Sequence, residues 1–189
     1  MALLNKQDLK SRALDKFGIN AKSRSVVALL ETAKTFNFVK QYDIFLSHSY
    51  LDADEVEILK EDLEASGFSV YVDWIEDAQL SRDNVSSYTA TVIRNRMKYC
   101  KSLIYAFSEN SALSKWAPWE LGYFDGYNGK VAVLPIFDGP QTGEDYKGVE
   151  FIGIYPYITK AMTSFFVQEN SQIWVGYSSW LTGAKPVKH

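Results

Sequence analysis

Four short apolar runs, separated by segments of helical pattern, constrain the fold of this chain more than any other feature. They are Tyr42-Asp-Ile-Phe-Leu-Ser47, Phe68-Ser-Val-Tyr-Val-Asp-Trp74, Lys101-Ser-Leu-Ile-Tyr-Ala-Phe-Ser108 and Val131-Ala-Val-Leu-Pro-Ile136. Short, nearly continuous apolar runs suit strands that are buried on both faces, as in a parallel sheet. Val56, Leu59, Leu63 and Phe68 predict a helix over about 52–66, stopped by Gly67. Val85, Tyr88, Val92, Met97 and Tyr99 predict another over roughly 84–99. Pro135 falls near the end of the fourth run, where a strand tolerates it. Strands alternating with helices predict an α/β fold with a parallel sheet. Ligands of such sheets bind beyond the carboxyl ends of the strands. Three segments converge there: Ser47–Tyr50, Trp74–Asn84 and residues 108–120.

The flanks are less regular. Leu4, Leu9, Ala13, Leu14 and Phe17 follow a helical period that Gly18 ends, and a second apolar stripe starts at Val26. Residues 1–38 therefore read as a helical N-terminal extension, packed on the main domain or on another subunit. Residues 39–189 read as that domain, with a divergent part from about 138. There Phe151 to Ile158 is a candidate fifth strand, and Ile173 to Leu181 a candidate last helix.

Composition narrows the function. A net charge of −3 argues against a broad electrostatic grip on nucleic acid or an anionic membrane. No run approaches the roughly 20 apolar residues of a membrane span, and the N-terminus turns polar too early for a signal peptide. Cys100 is the only cysteine, which excludes an internal disulfide and a cysteine-metal cluster. It reads as a small buried hydrophobe. A soluble, cytoplasmic protein is expected.

The chemistry centres on Ser114-Lys-Trp-Ala-Pro-Trp-Glu-Leu-Gly122. Ser114 suits an N-cap, and Pro118 fits only a first helical turn. Trp116 and Glu120 are four apart and share a helix face. A carboxylate beside an indole can hold a sugar next to a planar cationic base. On these residues alone an amphipathic helix start is the simpler reading, with Trp119 in the core and Glu120 favoured by the helix dipole. Other chemistries lack their residues. There is no G-x-S-x-G elbow, no phosphate-binding G-x-x-x-x-G-K-[ST] loop and no dinucleotide glycine fingerprint. His48 and His189 are the only histidines and make no metal site.

Taken in order, these pieces resemble Toll/interleukin-1 receptor (TIR) domains. Tyr42 to Ser49 resembles their opening strand, Phe68 to Asp73 their second and Leu103 to Ser108 their third. Ser114 to Gly122 resembles their glutamate-bearing helix, and Val131 to Ile136 their fourth strand. The likeness covers about residues 40–137. It implies a flavodoxin-like fold, a central parallel sheet of about five strands flanked by helices. Bacterial and plant members cleave NAD with that glutamate, which Glu120 matches. Within the family the chain is similar to the TIR proteins of the Thoeris antiphage system. These make a cyclic ADP-ribose isomer that activates a separate effector. Receptor members carry Arg-Asp-x-x-Pro-Gly after the second strand. Here Arg82-Asp-Asn-Val-Ser-Ser87 lacks the Pro-Gly, which weakens a receptor-adaptor role.

The resemblance implies roles residue by residue. Glu120 is the catalytic carboxylate, and Trp116 flanks the nicotinamide. Phe45 lies near the base. Ser47 and His48 are candidates for ribose or phosphate, although His48 is equally readable as a satisfied loop histidine. By position rather than by resemblance, Trp74 and Asp77 lead into the loop after the second strand, where Asp77 suits a ribose hydroxyl or loop ordering, and Ser81 and Arg82 can reach a phosphate, although a lone loop arginine is equally readable as solvated. Trp119 is expected in the core while lining the pocket. NAD is then a substrate and no cofactor or metal is implied. Partners are the effector, reached through the diffusible product, and further copies of the TIR domain. Two other readings remain at this level: a non-catalytic TIR scaffold, and a deoxyribosyltransferase-like enzyme with a glutamate nucleophile.

Overall fold

The computed structural model describes residues 1–18, 40–72, 87–114, 116–138, 146–148 and 150–189. Its centre is a parallel sheet whose strands are β2 (Tyr42–Ser47), β3 (Val70–Tyr71), β4 (Cys100–Phe107), β5 (Val131–Phe137) and β6 (Tyr157–Ala161). Their spatial order is β3-β2-β4-β5-β6, and every neighbouring pair is parallel. Counted along the sheet this is the 2-1-3-4-5 order of flavodoxin-like folds, as expected.

The apolar runs are continuous because both faces are covered. Ile44, Leu46, Val70, Ile104, Ala106, Ala132 and Leu134 enter one core cluster. Their alternates Phe45, Tyr71, Leu103, Tyr105, Val131 and Val133 enter the other. The first core is closed by α1 (Lys6–Phe17) and α2 (Ala53–Ala65), through Leu9, Val56, Leu59 and Leu63. The second is closed by α3 (Ser87–Met97) and α4 (Ala117–Asn128), through Ile93, Met97, Leu121 and Phe124. Each such side chain contributes roughly 1.5–3 kcal/mol on burial. Helix α4 ends at Gly129, whose left-handed backbone (φ 71°) lets its N–H bond the Phe124 carbonyl.

The expected N-terminal helix is present as α1, and the second stripe from Val26 lies outside the described residues. A short strand, β1 (Leu4–Asn5), precedes α1 and pairs in parallel with Ile136 and Phe137. Ala2 bridges Lys160 of β6. The first residues are thus tied to β5 and β6, and Leu4, Leu9 and Ala13 belong to the first core.

Two expectations in the C-terminal part are corrected. Most of Phe151 to Ile158 is not strand: a 3-10 turn covers Glu150–Ile154, and β6 begins only at Tyr157. Gly153 lies in that turn and Pro156 just before β6, and both residue types break a ladder. Nor is Ile173 to Leu181 one helix. Ile173–Gly176 is strand β8, followed by the short helix α5 (Tyr177–Leu181). Ile173 and Val175 are β-branched and flank Trp174, a composition that fits a pleated surface. With β7 (Ser164–Asn170) and β9 (Val187–Lys188), β8 extends the sheet in antiparallel order beyond β6. Among the described residues the sheet has nine strands. No helix among them is long and apolar enough to cross a membrane.

Candidate active site

The strand ends and the start of α4 bring Phe45, Ser47, Trp116, Trp119 and Glu120 together. Strand alternation turns Phe45 and Ser47 toward the α4 side of the sheet. Ser47 is the last residue of β2 and pairs with Tyr105 of β4. Its hydroxyl donates to Glu120 Oε2 at 2.6 Å, joining residues 73 positions apart. Both side chains are fully buried. A carboxylate is rarely buried this completely unless a specific set of partners holds it.

The local sequence explains how Glu120 reaches that place. Ser114 Oγ accepts the Ala117 N–H at 3.2 Å, the capping role expected of it, although the regular helix starts three residues on. Pro118 occupies the first turn, where no N–H is needed. Trp116 already has helical backbone angles, and its carbonyl accepts the Glu120 N–H at 2.8 Å. Trp116 and Glu120 therefore point the same way, one turn apart, into the second core.

The two indoles exchange the burial expected of them. Trp116 is 6% exposed and joins the core, whereas Trp119 is only partly buried and packs against it. They meet edge to face at 5.3 Å, and Trp119 stacks on Tyr123 at 5.8 Å. The reversal follows from the face of α4: Trp116 aligns with Glu120, and Trp119 with Tyr123 along the flank. Phe45 is buried against Tyr71 at 5.4 Å. His48 is also fully buried, one residue past β2, with Nδ1 3.0 Å from the Leu46 carbonyl. Trp74, Asp77 and Arg82 lie outside the described residues.

Several residues beyond the motif shape the site. Tyr105 lies close enough to Glu120 to feel its charge. Burial first, and then that charge, push the Tyr105 hydroxyl above its usual range, although a hydrogen bond with the Ser111 side chain opposes them. Tyr146 packs on Phe107, Phe137 and Tyr157, with its hydroxyl pushed up to about 12 by burial and then by Tyr105. An apolar strand residue and a lone loop tyrosine carry no motif, so neither was legible in sequence. Cys100 is buried as expected, and burial pushes its thiol far up, away from nucleophilic chemistry.

Comparison with known proteins identifies the family. A family model described as the TIR domain matches residues 44–158. The chain is 45% identical over 179 residues to a protein of Bacillus cereus (strain MSX-D12) named probable 3' cyclic ADP-D-ribose synthase ThsB'. That match spans 93% of this chain and 91% of the relative. It is also 35% identical, over 44% of its length, to the putative cyclic ADP-D-ribose synthase TIR2 of Cytobacillus dafuensis, covering 22% of that protein. The family model covers more than half of the chain and the Bacillus cereus relative nearly all of it, and the chain belongs to the TIR domain proteins.

Proposed function

We propose that this protein cleaves NAD, releases nicotinamide and closes the remaining ADP-ribose into a cyclic isomer. That product serves as a messenger, which activates a separate effector in antiphage defence. The observation that carries the reading is the buried Glu120 carboxylate, fixed by Ser47 with Trp116 one turn away. The name of the Bacillus cereus relative supports the cyclic product and makes a 3' linkage the first to test.

Nicotinamide in NAD is a cationic leaving group, so the reaction needs no general acid. The glycosidic C–N bond breaks and its electron pair leaves with the nicotinamide nitrogen. Positive charge develops at the ribose anomeric carbon, where Glu120 stabilises it and holds the ribose hydroxyls. One carboxylate suffices, unlike the pair used by most glycosidases. An adenine nitrogen or a ribose hydroxyl of the same molecule then attacks that carbon, and a hydroxyl acceptor loses its proton. Water must be excluded until it does, or linear ADP-ribose results. Ser47 locks the carboxylate, and Trp116 and Phe45 supply an apolar wall that keeps water out. His48, Trp74, Asp77, Arg82 and Trp119 complete the substrate surface in this reading. Glu120 has no exposed surface, so NAD reaches it only once its cover moves. This accords with an enzyme that is silent until triggered.

The test is mass spectrometry of NAD incubated with protein from infected and uninfected cells. A cyclic isomer, and a small-molecule filtrate that switches on the effector, are expected after infection. Linear ADP-ribose with an inert filtrate would leave an NAD-depleting hydrolase. No nicotinamide at all would leave a scaffold, and a covalent sugar on Glu120 a transferase-like enzyme.

A further inference from the structure

We propose that the buried Lys6–Asp52 pair, with Ser108 and Asn110, is a positioning clamp that ties the N-terminal helix to the turn carrying Trp116 and Glu120. Its kinetic consequence rests on the NAD-cleaving function proposed above.

Four observations point to it. First, β1 pairs with the last residues of β5, which delivers Lys6 to the carboxyl edge of the sheet. Asn5 Oδ1 caps α1 there, accepting the Gln7 and Asp8 N–H groups at 2.8 and 3.3 Å. Lys6 is then buried, with its ammonium 3.1 Å from Asp52 Oδ1. Lysine is almost never buried without such a partner.

Second, Asp52 occupies the N-cap position of α2 but makes no capping hydrogen bond. Its carboxylate instead accepts from the Ser108 hydroxyl and, at 2.6 Å, from Asn110 Nδ2. A residue type suited to capping its own helix is turned toward the loop after β4.

Third, that loop is knotted on itself. The Ser108 N–H donates to Ser111 Oγ at 2.9 Å, and the Ser111 hydroxyl donates to the Ser108 carbonyl at 2.7 Å. The Ser114 N–H bonds the Ser111 carbonyl at 3.1 Å, and Ser114 caps the start of α4. A continuous series of contacts thus runs from Lys6 to Ala117, one turn short of Glu120.

Fourth, the elements flanking these two loops are joined again where Ser47, at the end of β2, meets Glu120 in α4. Two cross-ties, one at the carboxylate and one at Asp52, fix the loop after β2 against the loop after β4. The Lys6 charge holds the second tie by neutralising a buried carboxylate. Removing it strands that carboxylate.

The test uses the full chain carrying Lys6→Met, Lys6→Arg or Asp52→Asn, with the parent and Glu120→Gln as references. Two readouts are taken: steady-state nicotinamide release by protein from infected cells, where the proposed enzyme is active, and hydrogen exchange of the amides of residues 111–121. Lys6→Met is expected to lower kcat about 10- to 100-fold, the cost of a misplaced catalytic group, with KM for NAD little changed. Exchange of 111–121 rises in the same variant, and Lys6→Arg restores most of kcat. If Lys6→Met does not fold, Ser108→Ala and Asn110→Ala keep the ion pair and should each lower kcat about 2- to 10-fold. Folded Lys6→Met and Asp52→Asn with parental kcat and parental exchange would overturn the clamp, even with a lower melting temperature. If the parent taken from infected cells releases no nicotinamide, the proposed function fails, and the exchange readout alone decides the clamp.

Discussion

At the scale of single residues, the proposed chemistry depends on one carboxylate and the hydroxyl that aims it. Glu120→Gln keeps the shape and removes the charge, so nicotinamide release should fall to background while the far-UV spectrum and melting curve stay near parental. Product at the parental rate would remove Glu120 from the mechanism. Ser47→Ala loses one hydrogen bond to a charged acceptor, worth roughly 1.5–3 kcal/mol. Because the bond orients the carboxylate, the loss should be read mainly in kcat. A change confined to KM would instead make Ser47 a plain substrate contact.

At the scale of elements, the candidate site consists of a strand end and a first helical turn held at the carboxyl edge by a rigid sheet, the usual place for a ligand in this class of fold. The polar stretch 76–84 lies outside the described residues and lacks Pro-Gly. In the proposed function it is the segment that closes the adenine half over the nicotinamide ribose. Asp77→Ala and Arg82→Ala should therefore shift product from cyclic toward linear ADP-ribose, with total nicotinamide release less affected. Unchanged product ratios in both variants would assign closure to another element.

At the scale of the whole molecule, the N-terminal helix is welded to the first core. Leu9 is 1% exposed and packs in the same cluster as Leu59. Leu9→Ala should cost about 2–5 kcal/mol in urea unfolding, as for any fully buried leucine. A loss below about 1 kcal/mol, well short of that range, would mean the helix is dispensable to the domain.

A second attachment is ionic. Asp62 receives Arg12 at 2.6 Å and Lys160 at 2.7 Å, joining α1, α2 and β6. Burial raises the Asp62 pKa, but the hydrogen bonds from Arg12 and Lys160 and their charges outweigh it and hold the carboxyl below its usual range. A depressed folded-state pKa stabilises above the unfolded value of about 3.9, and that stability is lost as pH falls through the folded value. Asp62→Asn should therefore be less stable than the parent at pH 7. The gap should close as pH falls below about 4. A gap independent of pH would show that packing, not charge, holds this contact.

The sequence by itself determined the parallel sheet, the helix starts and the glutamate-bearing turn. These follow from local pattern and cap chemistry, which act over a few residues: the nearly continuous apolar runs in 42–47 and 101–108, Ser114 and Pro118 before Glu120. Only the tertiary structure decided what depends on distant partners. The Ser47–Glu120 bond and the Lys6–Asp52 pair join residues with no local relation, so no spacing announces them. The exchange of burial between Trp116 and Trp119 depended on which flank of α4 met the sheet. The conversion of 173–176 to strand depended on the unpaired edge that β7 offered, since a short apolar run takes its conformation from the neighbour that satisfies its backbone.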